Sequence, residues 1–225
     1  MTDRTIGRPS GDGGDRRRVV VLDHGSGNLR SAERALAAAG ADVLVTGDLV
    51  AAADADGLVV PGVGAFAACM AGIDAIGAGP VIAERVAAGR PVLGICVGMQ
   101  VLFELGDEHG LVTKGLGLLP GSVTRLAAAR LPHMGWNTVQ PPVDSVLFAG
   151  LPADSRFYFV HSYAHSDAAA LAGAGAKVTT AHHETDFVAA VERGALSAAQ
   201  FHPEKSADTG AALLRNWLAT VPARG

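Results

Sequence analysis

Short β-branched apolar runs, each followed at once by a stretch of helical periodicity, are what most restrict the folds open to this chain. Val19-Val20-Val21-Leu22 is stopped by Asp23-His24-Gly25, Leu58-Val59-Val60 by Pro61-Gly62, and Pro91-Val92-Leu93-Gly94-Ile95 runs directly into Cys96. Runs this short and this continuously apolar read as strands buried on both faces. Helical patterns lie between and after them, over residues 29–39, 65–76, 81–88 and 97–105, and residues 42–46 add another strand. Strands alternating with helices predict an α/β fold: a single-domain, open, mostly parallel sheet with helices on both faces. Beyond residue 120 strand-like runs dominate, over 123–126, 157–160, 177–180, 187–191 and 196–201, before a closing helix over 207–218. These predict antiparallel additions in the C-terminal half.

Composition narrows the class. Hydrophobic residues make up 49% of 225, and the net charge is only −4, which excludes a disordered chain. No basic stripe suggests nucleic acid. No apolar run reaches the roughly 18 residues of a membrane span. Two cysteines, Cys69 and Cys96, cannot build a disulfide framework, so a reducing cytoplasm is the expected location. Residues 1–15 are almost devoid of apolar side chains, and Arg16-Arg17-Arg18 reads as a solvated lead-in. A disordered tail over 1–18 and one domain over 19–220 are expected.

Gly94-Ile95-Cys96-Val97-Gly98 is the sharpest motif. It is a thiol version of the elbow in which a nucleophile sits between a strand and a helix, flanked by glycines where side chains would not fit. A helix N-terminus favours a thiolate, and the Val97 N–H stands ready for an oxyanion. A buried, inert cysteine fits the same pattern. Cys69, among Ala67, Ala68 and Met70 without an elbow, reads as core. A cysteine nucleophile needs a base and the base an orienting group. His202-Pro203-Glu204 supplies both at a strand end, two residues apart and so on one side of extended chain. His182 and His183 read as surface residues. His133 and His161 lie in polar-aromatic stretches that fit either a site role or a hydrogen-bonded core role. Gly25-Ser26-Gly27-Asn28-Leu29 lacks the third glycine of a dinucleotide fingerprint, since position 30 is Arg.

Six blocks together resemble the class I, triad-type glutamine amidotransferases, and among them the glutaminase subunits of imidazole glycerol phosphate synthases. They are Gly25-Ser26-Gly27-Asn28-Leu29-Arg30-Ser31, Pro61-Gly62-Val63-Gly64-Ala65-Phe66, and residues 94–100, 133–137, 158–163 and 200–206. The resemblance implies that Cys96 attacks the glutamine amide, His202 shuttles the proton and Glu204 orients His202. It implies an oxyanion hole at Val63 and Val97, and glutamine held by Gly62, Gly64, Gln100, Ser162 and Tyr163. It implies no cofactor and no metal, and ammonia passed to a (β/α)₈ cyclase subunit in a heterodimer. Asn28, Arg30, His133, Trp136, Tyr158 and Lys205 would face that partner. The chain departs from the family pattern at His24, where Tyr is usual, which bears on local packing or subunit contacts. A triad glutaminase serving pyridoxal phosphate synthesis would share the triad but should lack the 133–137 run. A silent binding protein on this fold, or a cysteine hydrolase of the chaperone or peptidase type, are the other readings; the first would not keep the triad, the second would not require Gln100. A further expectation is latency: a peptide flip between Gly62 and Val63 would turn the Val63 N–H into or out of the site.

Overall fold

The computed structural model describes residues 16–222. Of the expected tail over 1–18, residues 1–15 lie outside the described residues. Its drawn boundary at Arg18 is too late, because Arg17 Nε donates to the Val221 carbonyl at 3.0 Å and Arg18 already pairs with Asp42 in the sheet.

The central sheet carries β1 (Arg18–Leu22), β2 (Asp42–Thr46), β3 (Gly57–Gly62), β4 (Val92–Cys96), β11 (Lys177–His183), β12 (Thr185–Arg193) and β13 (Leu196–Ala199). Their order is β11-β12-β13-β4-β3-β1-β2. Five neighbours run parallel, from β2 to β13, and β12 is antiparallel to both of its neighbours. The antiparallel additions therefore sit at one edge, as the C-terminal pattern predicts. Every residue of β3 and β4 is buried, which is why both read as unbroken apolar runs, whereas the edge strand β2 has no buried residue.

Helices α1 (Leu29–Ala38) and α7 (Ala207–Thr220) pack together. In a second set α4 (Ala78–Ala87) packs on α2 (Leu49–Asp54) and α3 (Phe66–Ala75). Arg85 in α4 is almost wholly buried and ties this layer down. Its guanidinium donates to the carbonyls of Ala52, Ala53, Ala55, Asp56 and Pro91, closing the C-terminal end of α2 against the start of β4. Burial, helped by Arg90, pulls its pKa down to about 10. On the α7 side, Trp217 is fully buried over Gly57, where a Cβ would come within 2.9 Å of the indole.

The helix expected over 97–105 is a correction. Helix α5 spans only Val97–Gln100, and Phe103–Glu108 is strand β5. Val101, Leu102 and Phe103 are all fully buried, so periodicity could not tell helix from strand there. Strand β5 pairs parallel with β7 (Leu119–Arg125) and antiparallel with β6 (Leu111–Lys114), and β10 (Tyr163–Ala164) completes this second sheet. The 133–138 stretch is likewise a strand, β8 (His133–Thr138), in an antiparallel ribbon with β9 (Arg156–His161). Among the described residues no single helix is long and apolar enough to cross a membrane.

Candidate active site

Cys96 is the last residue of β4, with φ 56° and ψ −116°, a conformation L-residues rarely hold. The chain can turn there because its flanks carry no side chain. A Cβ on Gly98 would collide with the Val60 carbonyl, and one on Gly94 would lie 2.8 Å from both the Gly98 carbonyl and Leu102 Cδ1. The helix that follows is a single turn, so the expected help from a helix dipole is small. Neighbouring side chains act instead.

His202 follows β13, with its backbone N–H donating to the Tyr158 carbonyl at 2.9 Å. Its Nδ1–H donates to Glu204 Oε1 at 2.7 Å, both side chains being nearly inaccessible. That leaves Nε2 for the Cys96 thiol. Burial pulls the His202 pKa down, but bonding to Cys96 and Glu204 outweighs it and the pKa rises to about 9. This favours a protonated imidazole beside the Cys96 sulfur. Gln200 Nε2 donates toward Cys96 Sγ at 3.9 Å and adds a dipole on the sulfur. Cys69 shows the opposite setting: burial, reinforced by Cys96, pushes its thiol up to about 12, in keeping with a core role.

Above the thiol opens a cleft of about 230 Å³ lined by Val63, Gly64, Cys96, Val97, Gln100, Glu108, residues 160–163, His202 and Lys205. Two of the three catalytic candidates, Cys96 and His202, and six of the expected oxyanion and substrate residues thus meet in one place. Gly62 does not line the cleft; it packs behind the elbow, where a Cβ would lie 2.5 Å from the Gly98 nitrogen. Gln100 is buried, its Nε2 donating to the Tyr163 carbonyl (2.9 Å) and to Gln200 Oε1 (3.0 Å). Its Oε1 is buried without a protein partner. Glu108, which also accepts the Phe66 N–H at 2.9 Å, was not singled out from the sequence. It reaches the cleft from β5, whose strand conformation comes from pairing with β6 and β7 rather than from a local pattern.

The Val63 N–H does not point into the cleft. It donates to Ser26 Oγ at 3.1 Å, and that hydroxyl donates in turn to the Val63 carbonyl at 2.8 Å. The departure at His24 is absorbed locally: the ring is buried and its Nε2 donates to the Pro61 carbonyl at 2.7 Å.

Of the residues expected to face a partner, Trp136, Tyr158 and Lys205 form a group at the mouth. Lys205 Nζ lies 5.9 Å from the centre of the Tyr158 ring, and Trp136 meets that ring edge-on at 6.1 Å. Asn28 and Arg30 lie at the start of α1, Arg30 exposed beside Glu33. His133 is a correction: it is 5% exposed, packed among Phe159, Phe187, His161 and His183, and presents nothing to a partner. His182 is exposed and paired with Asp186, as a surface residue should be, while His183 is half-buried on His133. Among the described residues no group of three or more His, Cys, Asp or Glu side chains is arranged to hold a metal ion.

A strand-end thiol, an imidazole and a buried carboxylate meet at the end of a parallel sheet, and residues 20–221 match the glutamine amidotransferase class-I family. The chain belongs to that family. It is 64% identical over 200 residues to the imidazole glycerol phosphate synthase subunit HisH of Mycolicibacterium paratuberculosis, covering 89% of this chain and 96% of that protein. The HisH proteins of Nocardia farcinica (63%, 90% and 98% covered) and Streptomyces coelicolor (56%, 96% and 100% covered) are similarly close. A solved glutamine amidotransferase shares the fold with a TM-score of 0.71 at 22% identity, over 90% of this chain and 98% of that one.

Proposed function

We propose that this chain is the glutaminase subunit of an imidazole glycerol phosphate synthase, releasing ammonia from glutamine for a (β/α)₈ cyclase partner in histidine biosynthesis. The observation that carries the chemistry is the buried Nδ1–carboxylate bond between His202 and Glu204, which leaves Nε2 to the Cys96 thiol at the floor of the cleft. The close relatives named as HisH subunits support the pathway and the partner.

In the reaction the Cys96 thiolate adds to the side-chain amide carbon of glutamine. The amide oxygen takes the charge and is met by the Val97 N–H, joined by the Val63 N–H once that peptide turns. His202 Nε2–H protonates the nitrogen, the C–N bond breaks, and ammonia leaves a γ-glutamyl thioester. His202, now neutral, removes a proton from water as it attacks the thioester. Glutamate leaves and Cys96 is regenerated. Gln100 Oε1 and the Glu108 carboxylate suit the substrate ammonium, and the Ser162–Tyr163 backbone its carboxylate. The test is glutamine hydrolysis with and without the cyclase subunit and its nucleotide ligand. No glutamate release under any of these conditions would refute the reading.

A further inference from the structure

Behind the cleft runs a line of hydrogen bonds in which every link has one possible polarity. It starts at Asn137, whose amide is oriented by two backbone groups: Nδ2 donates to the His182 carbonyl at 2.9 Å and Oδ1 accepts the Thr138 N–H at 2.9 Å. The same Nδ2 faces His133 Nε2 at 3.2 Å, so Nε2 must accept and carries no proton. An imidazole with a bare Nε2 bears its proton on Nδ1. His133 Nδ1 therefore donates to His161 Nε2 at 3.0 Å. That leaves the His161 proton on Nδ1, which donates to the Tyr163 carbonyl at 3.0 Å. Read from the other end, a carbonyl can only accept, and the same polarity results. Burial keeps both rings neutral, pushing His161 down to about 3 and, with His183 beside it, His133 to about 4.

The line joins two places that the chain needs to keep in register. At one end Tyr163 lines the cleft, and its carbonyl also receives Gln100 Nε2. At the other, Asn137 directly follows Trp136, which is half-exposed beside Tyr158 and Lys205. Strand β8 thus presents its aromatic outward and anchors the relay inward.

We propose that Asn137, His133 and His161 form a directional positioning relay that holds the Ser162–Tyr163 backbone in the geometry that binds glutamine. None of the three touches the reacting atoms by this account; they act through Tyr163 and Gln100. The inference rests on the reading of the cleft as a glutamine site.

The test compares three variants in the complex with the cyclase subunit. His133→Phe keeps the ring shape and breaks the line. His133→Asn retains a donor where Nδ1 stands. Asn137→Asp replaces the starting donor by an acceptor and reverses the demand along the whole line. We expect His133→Phe and Asn137→Asp to raise the glutamine KM about tenfold, the scale of one lost hydrogen bond, with kcat changed less. His133→Asn should recover most of the affinity, and ammonia-driven synthesis should be unaltered in all three. An unchanged KM in both disruptive variants, or a fall in kcat alone, overturns the proposal. Nitrogen-15 NMR of the histidines in the full chain tests it without any turnover. His133 and His161 should both be neutral at pH 7 with the proton on Nδ1, and finding it on Nε2 of either ring overturns the relay even if glutamine proves not to be the substrate.

Discussion

Ser26 Oγ bridges the two peptides that flank Val63, accepting the N–H of the Gly62–Val63 peptide at 3.1 Å and donating to the carbonyl of the Val63–Gly64 peptide at 2.8 Å. The N–H that should complete the oxyanion hole is therefore turned toward Ser26. Losing one oxyanion donor costs about 10²–10³ in rate, so the chain alone should hydrolyse glutamine slowly. Partner and nucleotide together must favour the turned peptide over this one to raise the rate. Ser26→Ala should lift the basal rate of the isolated chain by about tenfold, recovering part of that range. Steady-state glutamate release decides. Full activity of the unmodified chain alone, or no gain in the variant, would sink the idea.

Cys96→Ala should abolish glutamine-dependent synthesis by the complex and spare synthesis driven by added ammonia, because amide cleavage alone needs the thiol. Cys69→Ala should leave glutamine turnover near normal, its thiol being held protonated in the core. Glutamate released at the wild-type rate by Cys96→Ala would remove Cys96 from its assigned role.

Charge reversal at Lys205 should weaken assembly or coupling while the fold survives. The ammonium is exposed at the cleft mouth over Tyr158, with Trp136 beyond, and an acidic partner group is its expected mate. Titration calorimetry of Lys205→Glu with the cyclase subunit, beside a melting curve, measures this. Unchanged affinity together with unchanged coupling would count against an interface there.

Stability should fall on both sides of neutrality, for different histidines. His133 and His161 refuse protons that the unfolded chain accepts near pH 6.5, so the unfolded state binds more protons below that pH. Their neutrality costs stability progressively as pH falls from 6.5 toward 4. His202 has the opposite sign: its contribution is complete below pH 6.5 and is lost as pH rises through about 9. Melting temperatures from pH 4 to 10 should show both limbs. His202→Asn should flatten the alkaline one and the double variant His133→Asn/His161→Asn the acid one. An acid limb unchanged in the double variant would refute the assignment.

The parallel half of the fold and the triad were legible because each rests on a local pattern. Strands β1, β3 and β4 are continuous apolar runs that only a doubly covered sheet explains, and the glycines at 94 and 98 announce the elbow. What failed was non-local. Residues 103–105 are strand because β7 pairs with them from sixteen or seventeen residues away, and Glu108 closes that same strand. The resemblance sets His133 toward a partner along with Trp136, yet the two are three positions apart. In an extended chain an odd spacing puts side chains on opposite faces. The alternation was in the sequence; recognising β8 as a strand was the missing step. Gln200, two residues from His202, meets the Cys96 sulfur only through the pairing of distant strands, which no local pattern signals.

The left-handed backbone at Cys96 has a consequence for what selection can keep. A residue with φ 56° costs about 1–2 kcal/mol relative to one free of that penalty, and the penalty belongs to the Cβ rather than to the thiol. Alanine in its place would inherit the strain; glycine would shed it. Cys96→Gly should therefore melt above both the parent and Cys96→Ala by a few degrees while hydrolysing no glutamine. If thermal melts put the glycine variant below the alanine one, the turn is not strained as described. Should the order hold, a more stable version of this chain is an inactive one a single substitution away, and the protein keeps its nucleophile at the cost of that stability.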